Sequence, residues 1–501
     1  MPSLPPPSRR PPRRLDSTRH SSLPWRRGAV ETARQSTLEL FPRGSLGPTF
    51  IESSWVVPAD SLREGARLWG RFFREAGLGP GDRVVLSARP GAGFLHVLAA
   101  ALRGRLTLVL VPEGSDLEVM LDRFDARAAV GESARAASWV VGRAGEPPDG
   151  RPIPRRALGP PTPSARLILA TSGTTGTSRW VALSDRNLQS VLSCHRPRLG
   201  LEGGRVLSVL PWTHAFGLIM DLLPSLVSGA TVVRDPAGGR DPGSMADLLR
   251  RHEISHLSAV PLIYRRLVEH CGNDLLLRGL RGGVVGGSPI TPSISSMLAA
   301  TRLRVGYGLT EASPGIALGS PGVWAPYSLG RPLGCEVGLG PAGGLQFRGP
   351  NACLGLWSER RLHCLDPGRW VETGDLVEIR GGELIYRGRV DDRFKLENGR
   401  WIHAGLCAES LCRQFPGLDE AVLFTPDGHH LALAWSSDPA KSQPGTASLR
   451  EALGSSGAVL RWIVRIPERE WSRTGKGAID RRATEGRLKD LIRASEECYS
   501  C

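Results

Sequence analysis

Lysine is nearly absent from this chain of 501 residues. Only Lys395, Lys441, Lys476 and Lys489 occur, so arginine supplies almost all of the 64 basic side chains. A lysine inside a motif is therefore not filler. No run of about 18 apolar residues is present, which excludes a helix crossing a bilayer and with it stable membrane insertion. The best candidate, Phe94 to Val111, is cut by Arg103 and Arg105. The nine cysteines stand singly, apart from Cys498 and Cys501. An odd, scattered set excludes a disulfide framework. The terminal pair has no second pair to complete a zinc site. The N-terminus has no apolar stretch of the secretory kind, and its prolines prevent the amphipathic helix of a transit peptide. A cytoplasmic location is the expectation.

What is present begins with charge. The net charge is +15, and the first 50 residues hold nine arginines against Asp16, Glu31 and Glu39. Such a Pro/Arg/Ser stretch cannot bury a core, so residues 1–50 are expected to form a disordered tail. The rest of the excess is spread thinly rather than gathered with aromatics in one groove, so nucleic acid is not an expected partner. With 41% hydrophobic and 23% charged residues the chain is globular, and its length fits two or three domains.

Periodicity gives the fold class. From Ser61, residues Leu62, Ala66, Leu68, Phe72 and Phe73 mark one face of a helix. Arg83–Leu86 reads as a buried strand, Phe94–Leu102 as a helix and Leu106–Val111 as a strand ended by Pro112. The alternation continues with strand Arg166–Ala170, helix Asp185–Cys194, strand Arg205–Leu210, helix Leu218–Ser228 and strand Thr231–Arg234. Strand alternating with helix predicts an α/β fold with parallel-rich sheets. From about 335 to 388 short strands with glycine turns predict a β-rich subdomain. The division expected is therefore an N-terminal domain over 51–388 and a small, mobile α+β domain over 389–501.

Thr171, Ser172, Gly173, Thr174, Thr175 and Gly176 follow the apolar strand. Glycines let backbone N–H groups approach an anion, and hydroxyls add donors, as a polyphosphate needs. Alone, the segment is equally a flexible turn. It has company. Pro211-Trp-Thr-His214-Ala-Phe216-Gly217-Leu218, Ser258-Ala-Val-Pro261, Gly286-Gly287-Ser288 and Gly306-Tyr307-Gly308-Leu309-Thr310-Glu311 follow in order. Arg348-Gly349-Pro350, Thr373-Gly374-Asp375 and Gly388-Arg389-Val-Asp391-Asp392 with Lys395 complete the series. Taken together, the chain over residues 55–485 resembles the adenylate-forming superfamily of acyl- and aryl-CoA synthetases, amino-acid adenylation domains and firefly-type luciferases.

The resemblance implies two half-reactions. A carboxylate attacks the α-phosphorus of ATP to give acyl-AMP and pyrophosphate. A thiol, from CoA or from the phosphopantetheine of an acyl carrier protein, then displaces AMP. It implies that the loop 171–176 and Arg179 hold phosphates, and that Gly286, Gly287 and Ser288 line the adenine side. It further implies that Tyr307 and Gly308 offer adenine a flat face, Thr310 donates to the α-phosphate and Glu311 holds Mg²⁺. Asp375 would accept the ribose hydroxyls with help from Arg389, His214 would lie beside the substrate carboxyl, and Asp391 would be the hinge. The plainer alternatives are a core histidine for His214, core aromatics for Trp212 and Phe216, and a turn residue for Asp375.

Two stretches depart from the family's pattern. After the phosphate loop the family has Pro-Lys-Gly-Val, where this chain has Ser178-Arg179-Trp180-Val181. Near the C-terminus the family reads R-T-x-x-G-K, and this chain reads Arg473-Thr-Gly-Lys476-Gly-Ala478. Ala478 therefore occupies the position of the catalytic lysine, with Lys476 two residues earlier as its substitute. Two functions remain open: an acid–thiol ligase working through Lys476, or a degenerate relative that binds nucleotide or acyl-adenylate without forming it. The substrate expected is a small-molecule carboxylate with an apolar tail or an aryl ring.

Overall fold

The computed structural model describes residues 40, 50–52, 55–131, 140–141, 161–162, 164–171, 179–341, 343–415, 417–437, 444–467, 470–473 and 479–498. The fold is α/β with several mixed sheets. One eight-stranded sheet runs Arg361–Cys364, Gly355–Ser358, Trp180–Ser184, Ala165–Ala170, Thr107–Leu110, Arg83–Ser87, Ala128–Gly131 and Val140–Val141. The last five of these are parallel, and the first three are joined to them antiparallel. Their residues are buried and Val/Leu/Ala-rich, because helices cover both faces of a parallel sheet.

Helix Ala59–Glu75 packs against helix Ala92–Arg103. It buries Leu62, Trp69, Phe72 and Phe73, with Trp69 5.7 Å from Phe72 and 5.5 Å from Phe73. Leu40 and Phe50 belong to the same core, so two apolar residues of the stretch expected as a tail are buried. Phe50 opens a strand whose parallel neighbour is Thr231–Arg234.

A five-stranded sheet runs His256–Ser258, Arg205–Ser208, Thr231–Arg234, Phe50–Glu52 and Trp55–Val57. The segment expected as a helix over Leu218–Ser228 opens two residues earlier and is wound as a π-helix over Phe216–Leu222 before it becomes α-helical at Leu223–Val227. A second eight-stranded sheet runs Val284–Gly286, Arg304–Gly308, Gly315–Leu318, Ser328–Pro332, Glu383–Arg389, Val371–Arg380, Gly344–Arg348 and Glu336–Leu339. The strands between 336 and 389 thus divide between two sheets, since Gly355–Ser358 pairs with Trp180–Ser184.

Beyond residue 392, strands Leu418–Phe424, Leu431–Ser437 and Leu460–Arg465 form a three-stranded sheet with helices Ala404–Gln414 and Thr446–Ala452. Leu396, Ile402, Leu411, Leu423, Leu433 and Trp435 make a core there without any residue from before 394. Among the described residues no helix is long and apolar enough to cross a membrane.

Candidate active site

Strand Arg304–Gly308 lies parallel to Val284–Gly286, with Gly286 opposite Gly306. It reaches Gly308 and meets the returning strand so closely that a Cβ there would stand 1.5 Å from the Pro314 carbonyl oxygen. Only glycine fits. The chain then makes a single 3₁₀ turn, Thr310–Ala312, which presents Thr310 and Glu311, both half-buried. The segment 351–353 supports this turn. Cys353 N donates to the Glu311 carbonyl at 2.8 Å, Ser313 Oγ to the Asn351 carbonyl at 2.8 Å, and Asn351 Nδ2 to the Gly315 carbonyl at 2.8 Å.

Tyr307, Asp375 and Arg389 are brought together. Asp375 sits opposite Arg389 in the antiparallel ladder of Val371–Arg380 and Glu383–Arg389. Arg389 Nη1 donates to Asp375 Oδ1 at 3.1 Å, and the Tyr307 hydroxyl donates to Asp375 Oδ2 at 2.6 Å. Both carboxylate oxygens are held. Gly374 has φ +77°, and a Cβ on it would lie 2.8 Å from an Arg389 nitrogen, so conformation and space both demand glycine. Thr373 Oγ1 accepts the Asp375 N–H at 3.1 Å. Burial raises the Asp375 carboxyl above its usual range, while Arg389 and Tyr307 pull it down. Burial opposes the Arg389 charge, yet Asp375 and Asp391 outweigh it and lift its pKa. Burial, reinforced by Asp375, pushes the Tyr307 phenol well up.

Asp391, the residue expected as a hinge, adjoins this cluster. Arg389 Nε donates to Asp391 Oδ1 at 3.1 Å, and Asp392 pairs with Arg481 at 2.5 Å. Arg481 opens helix Arg481–Cys498. Just before it, Arg473 and Ile479 form an antiparallel bridge. Lys476 and Ala478 fall between those two partners and lie outside the described residues, as do Ser172, Gly173, Thr174, Thr175 and Gly176.

At the two ends of the segment expected to bind phosphate, Thr171 N donates to the Arg179 carbonyl at 2.8 Å, and Arg179 N to Thr171 Oγ1 at 3.3 Å. Arg179 is exposed, and Trp180 beside it is buried. The Trp180 ring meets Phe124 edge-on at 4.6 Å, with the Arg123 guanidinium 5.5 Å above it. His214 is half-buried before the π-helix and its carbonyl accepts the Leu218 N–H at 2.9 Å. Trp212 is a core residue: fully buried, it lies 5.8 Å from Phe50 and 5.3 Å from Phe94. Phe216 is half-buried where three apolar clusters meet. Gly287 is exposed with φ +82°, and Ser288 is half-buried beside it.

The model of the AMP-binding enzyme family matches residues 60–339, and the chain belongs to that family. It is 28% identical over 406 residues to feruloyl-CoA synthase of an Amycolatopsis species, covering 74% of this chain and 80% of that protein. It is 28% identical over 394 residues to anthranilate–CoA ligase of Pseudomonas aeruginosa, covering 69% and 74%. Among solved structures, the anthranilate CoA ligase AuaEII in complex with anthranoyl-AMP matches with a TM-score of 0.72 over 89% of this chain and 95% of that one, at 19% identity. ATP-bound MatB from Rhodopseudomonas palustris matches with a TM-score of 0.73 over 91% and 100%, also at 19% identity. At that identity the likeness is one of fold.

Sequence reasoning assigned no role to Thr373, Asn351, Arg481 or Asp221. Thr373 acts on Asp375 only two residues on, inside the motif itself. Asn351 and Arg481 act through partners far along the chain, which no local pattern reveals. Asp221 had a signal: it is the one acid in the apolar run Phe216–Val227.

Proposed function

We propose that this protein activates a carboxylic acid with ATP, forming acyl-AMP, and transfers the acyl group to a thiol. The observation that carries the reading is the Tyr307–Asp375–Arg389 cluster beside the turn of Thr310 and Glu311. The names of the relatives support CoA as the thiol and an aryl or acyl acid as the substrate. A carrier-bound phosphopantetheine is the other acceptor to test.

The roles follow from how each group is held. Asp375 is fixed on both oxygens before any ligand arrives, so it meets the ribose hydroxyls without reorganising. Tyr307, anchored by its hydroxyl, turns its ring rather than its polar end toward adenine. Gly286, Gly287 and Ser288 flank that side, and Gly308 lets the base approach. Thr310 stands ready to donate to the α-phosphate, with His214 beside the incoming carboxylate. Thr310 and Glu311 offer oxygen donors, the kind a hard cation such as Mg²⁺ takes. Among the described residues no three His, Cys, Asp or Glu side chains gather as a cation site. Phosphate oxygens and water would therefore complete the shell. When bound, Mg²⁺ supplies charge neutralisation at the phosphates.

Attack of one anion on another needs cations close by. Arg179 at the loop base is one and Lys476 is the other. We place the hinge at Asp391, with residues 389–501 swinging as a small domain against 51–388 between the half-reactions. The test is pyrophosphate release from ATP, Mg²⁺ and a panel of carboxylates, with and without CoA. Release with at least one acid is expected; folded protein that gives no release above the blank overturns the reading. The second reading, binding without adenylation, is favoured by Ala478, Arg179 and Trp180, where the chain departs from the family's pattern. On that reading Ala478→Lys raises the rate by at least about tenfold, since one charge contact to a transition state is worth that or more.

A further inference from the structure

Three parallel strands of the five-stranded sheet end on polar residues in one register. Ser258 is paired with Ser208, and Ser208 with Arg234. All three are buried, at 6%, 0% and 7% exposure. Much of the row is occupied. Arg234 Nη1 donates to the carbonyls of Ser208 and Leu210, each at 2.9 Å. Trp212 Nε1 donates to Ser208 Oγ at 3.0 Å, and Val284 N donates to Ser258 Oγ at 3.3 Å.

Asp221 lies against this row from the π-helix Phe216–Leu222, and is 2% exposed. The Ser258 and Ser208 hydroxyls bond its carboxyl, and the Arg234 charge is near. Its Oδ2 has no hydrogen-bond partner among the described residues. A buried carboxylate oxygen left without a donor is costly, and native structures keep few of them. Burial raises this carboxyl to about 7 in spite of the serines and Arg234.

Position ties Asp221 to the site. π-winding closes on residues five apart, so Asp221 stands one turn below Phe216. A Cβ on Gly286 would lie 3.7 Å from the Phe216 ring. Gly286 is itself the residue opposite Gly306, next to Tyr307. The π-helix therefore runs from the nucleotide side of the site to the carboxyl ends of three parallel strands. Ligand crevices of open α/β sheets form at such strand ends.

We infer that Asp221, with Ser208 and Ser258, is the polar floor of the acyl crevice. The acid this enzyme activates then carries a hydroxyl or amine at the end opposite its carboxylate, and that donor fills Oδ2. A plain hydrocarbon end leaves the oxygen bare. The inference rests on the adenylation reading above and names its substrate class.

The test uses matched pairs on the full chain: para-hydroxy- and para-aminocinnamate against cinnamate, the corresponding benzoates, and a fatty acid against its terminal hydroxy counterpart. Binding is read by calorimetry in the presence of a non-hydrolysable ATP analogue, so that it does not depend on turnover. In at least one pair the donor-bearing acid should bind about 10- to 100-fold tighter, the span of a hydrogen bond to a charged group. Asp221→Leu should abolish that preference and leave the donor-free acid within about threefold. Where Asp221→Leu does not fold by circular dichroism, the wild-type preference alone decides. Absence of preference in every pair, equal weakening of both members by Asp221→Leu, or no binding of any acid overturns the inference. Equal pyrophosphate release from both members of each pair sinks it while the adenylation reading stands. Tight binding of the donor-bearing acid without pyrophosphate release does the reverse.

Discussion

Asp375 and Arg179 both stand in motifs of the family, and they are held in opposite ways. Asp375 is fixed by a ladder partner, Arg389, and by a tyrosine 68 residues away in sequence. Each neighbour there is the residue the family's motifs call for. Arg179 is exposed and, among the described residues, is tied through its backbone to Thr171. What steadies it is the next residue. Trp180 replaces a glycine of the family's pattern and is packed on Phe124, under Arg123 and opposite Trp357 in the ladder. Trp357 in turn donates from Nε1 to the Arg123 carbonyl at 3.0 Å. The side proposed to hold the nucleoside thus keeps its parts and their contacts. The side proposed to hold the phosphates has changed its parts and gained an aromatic anchor. Arginine holds phosphate through a planar fork rather than as a point charge, so it needs a fixed origin more than lysine does.

That contrast can be broken in several places. The largest effect is expected at the nucleoside side from Gly308→Ala, whose methyl has no room beside Pro314. A loss above about 4 kcal/mol is expected by urea denaturation, the range of severe backbone and packing faults. A near-normal midpoint would mean the close approach is dispensable. Next comes Trp180→Gly, which restores the family's residue but empties the aromatic anchor. About 3–5 kcal/mol should be lost, as for other large aromatic truncations. Unchanged stability would remove the anchor from the account. Asp375→Asn keeps the shape and removes the charge. ATP affinity by calorimetry should fall about 10- to 100-fold with little change in melting temperature. A fall in stability without loss of affinity would make Asp375 structural.

The smallest effect concerns pH. His195 and His256 are buried, and burial lowers both from 6.5 to about 4. Their contribution is present above 6.5 and is lost as pH falls toward 4, because the unfolded chain takes up those protons first. Asp221 works the other way. Burial raises it from 3.8 to about 7, so its contribution is present below 3.8 and is lost as pH rises to 7. Acidification from 7 to 4 therefore sets two histidines against one aspartate, and a net loss of stability is expected. Asp221→Asn removes the opposing group, so its denaturation midpoint should fall more steeply over the same window. A shallower fall would show that burial does not raise the Asp221 carboxyl.

Much of this was legible in the residues. The strand expected at Arg83–Leu86 is Arg83–Ser87, and the helix expected over Phe94–Leu102 lies inside Ala92–Arg103. Periodicity reports such elements because burial on one or both faces dictates their apolar spacing. The π-helix was not legible. The run Leu218–Leu223 is apolar at nearly every position, so no spacing distinguishes one winding from another. For the same reason the place of Asp221 over Ser208 and Ser258 could not be read, since it depends on strand register. The partition of the strands between 336 and 389 into two sheets is likewise a matter of pairing, not of local preference. At the site, motif order named Tyr307, Asp375 and Arg389, and the cross-strand geometry supplied the reason they meet.

The most direct measurement is pyrophosphate release by the unaltered protein set beside Ala478→Lys, each with ATP, Mg²⁺ and the same panel of acids. A working phosphate side predicts release from the unaltered protein and less than about a tenfold gain in the variant. No release until the lysine is restored would contradict it, leaving a protein whose nucleoside side binds while its phosphate side does not catalyse.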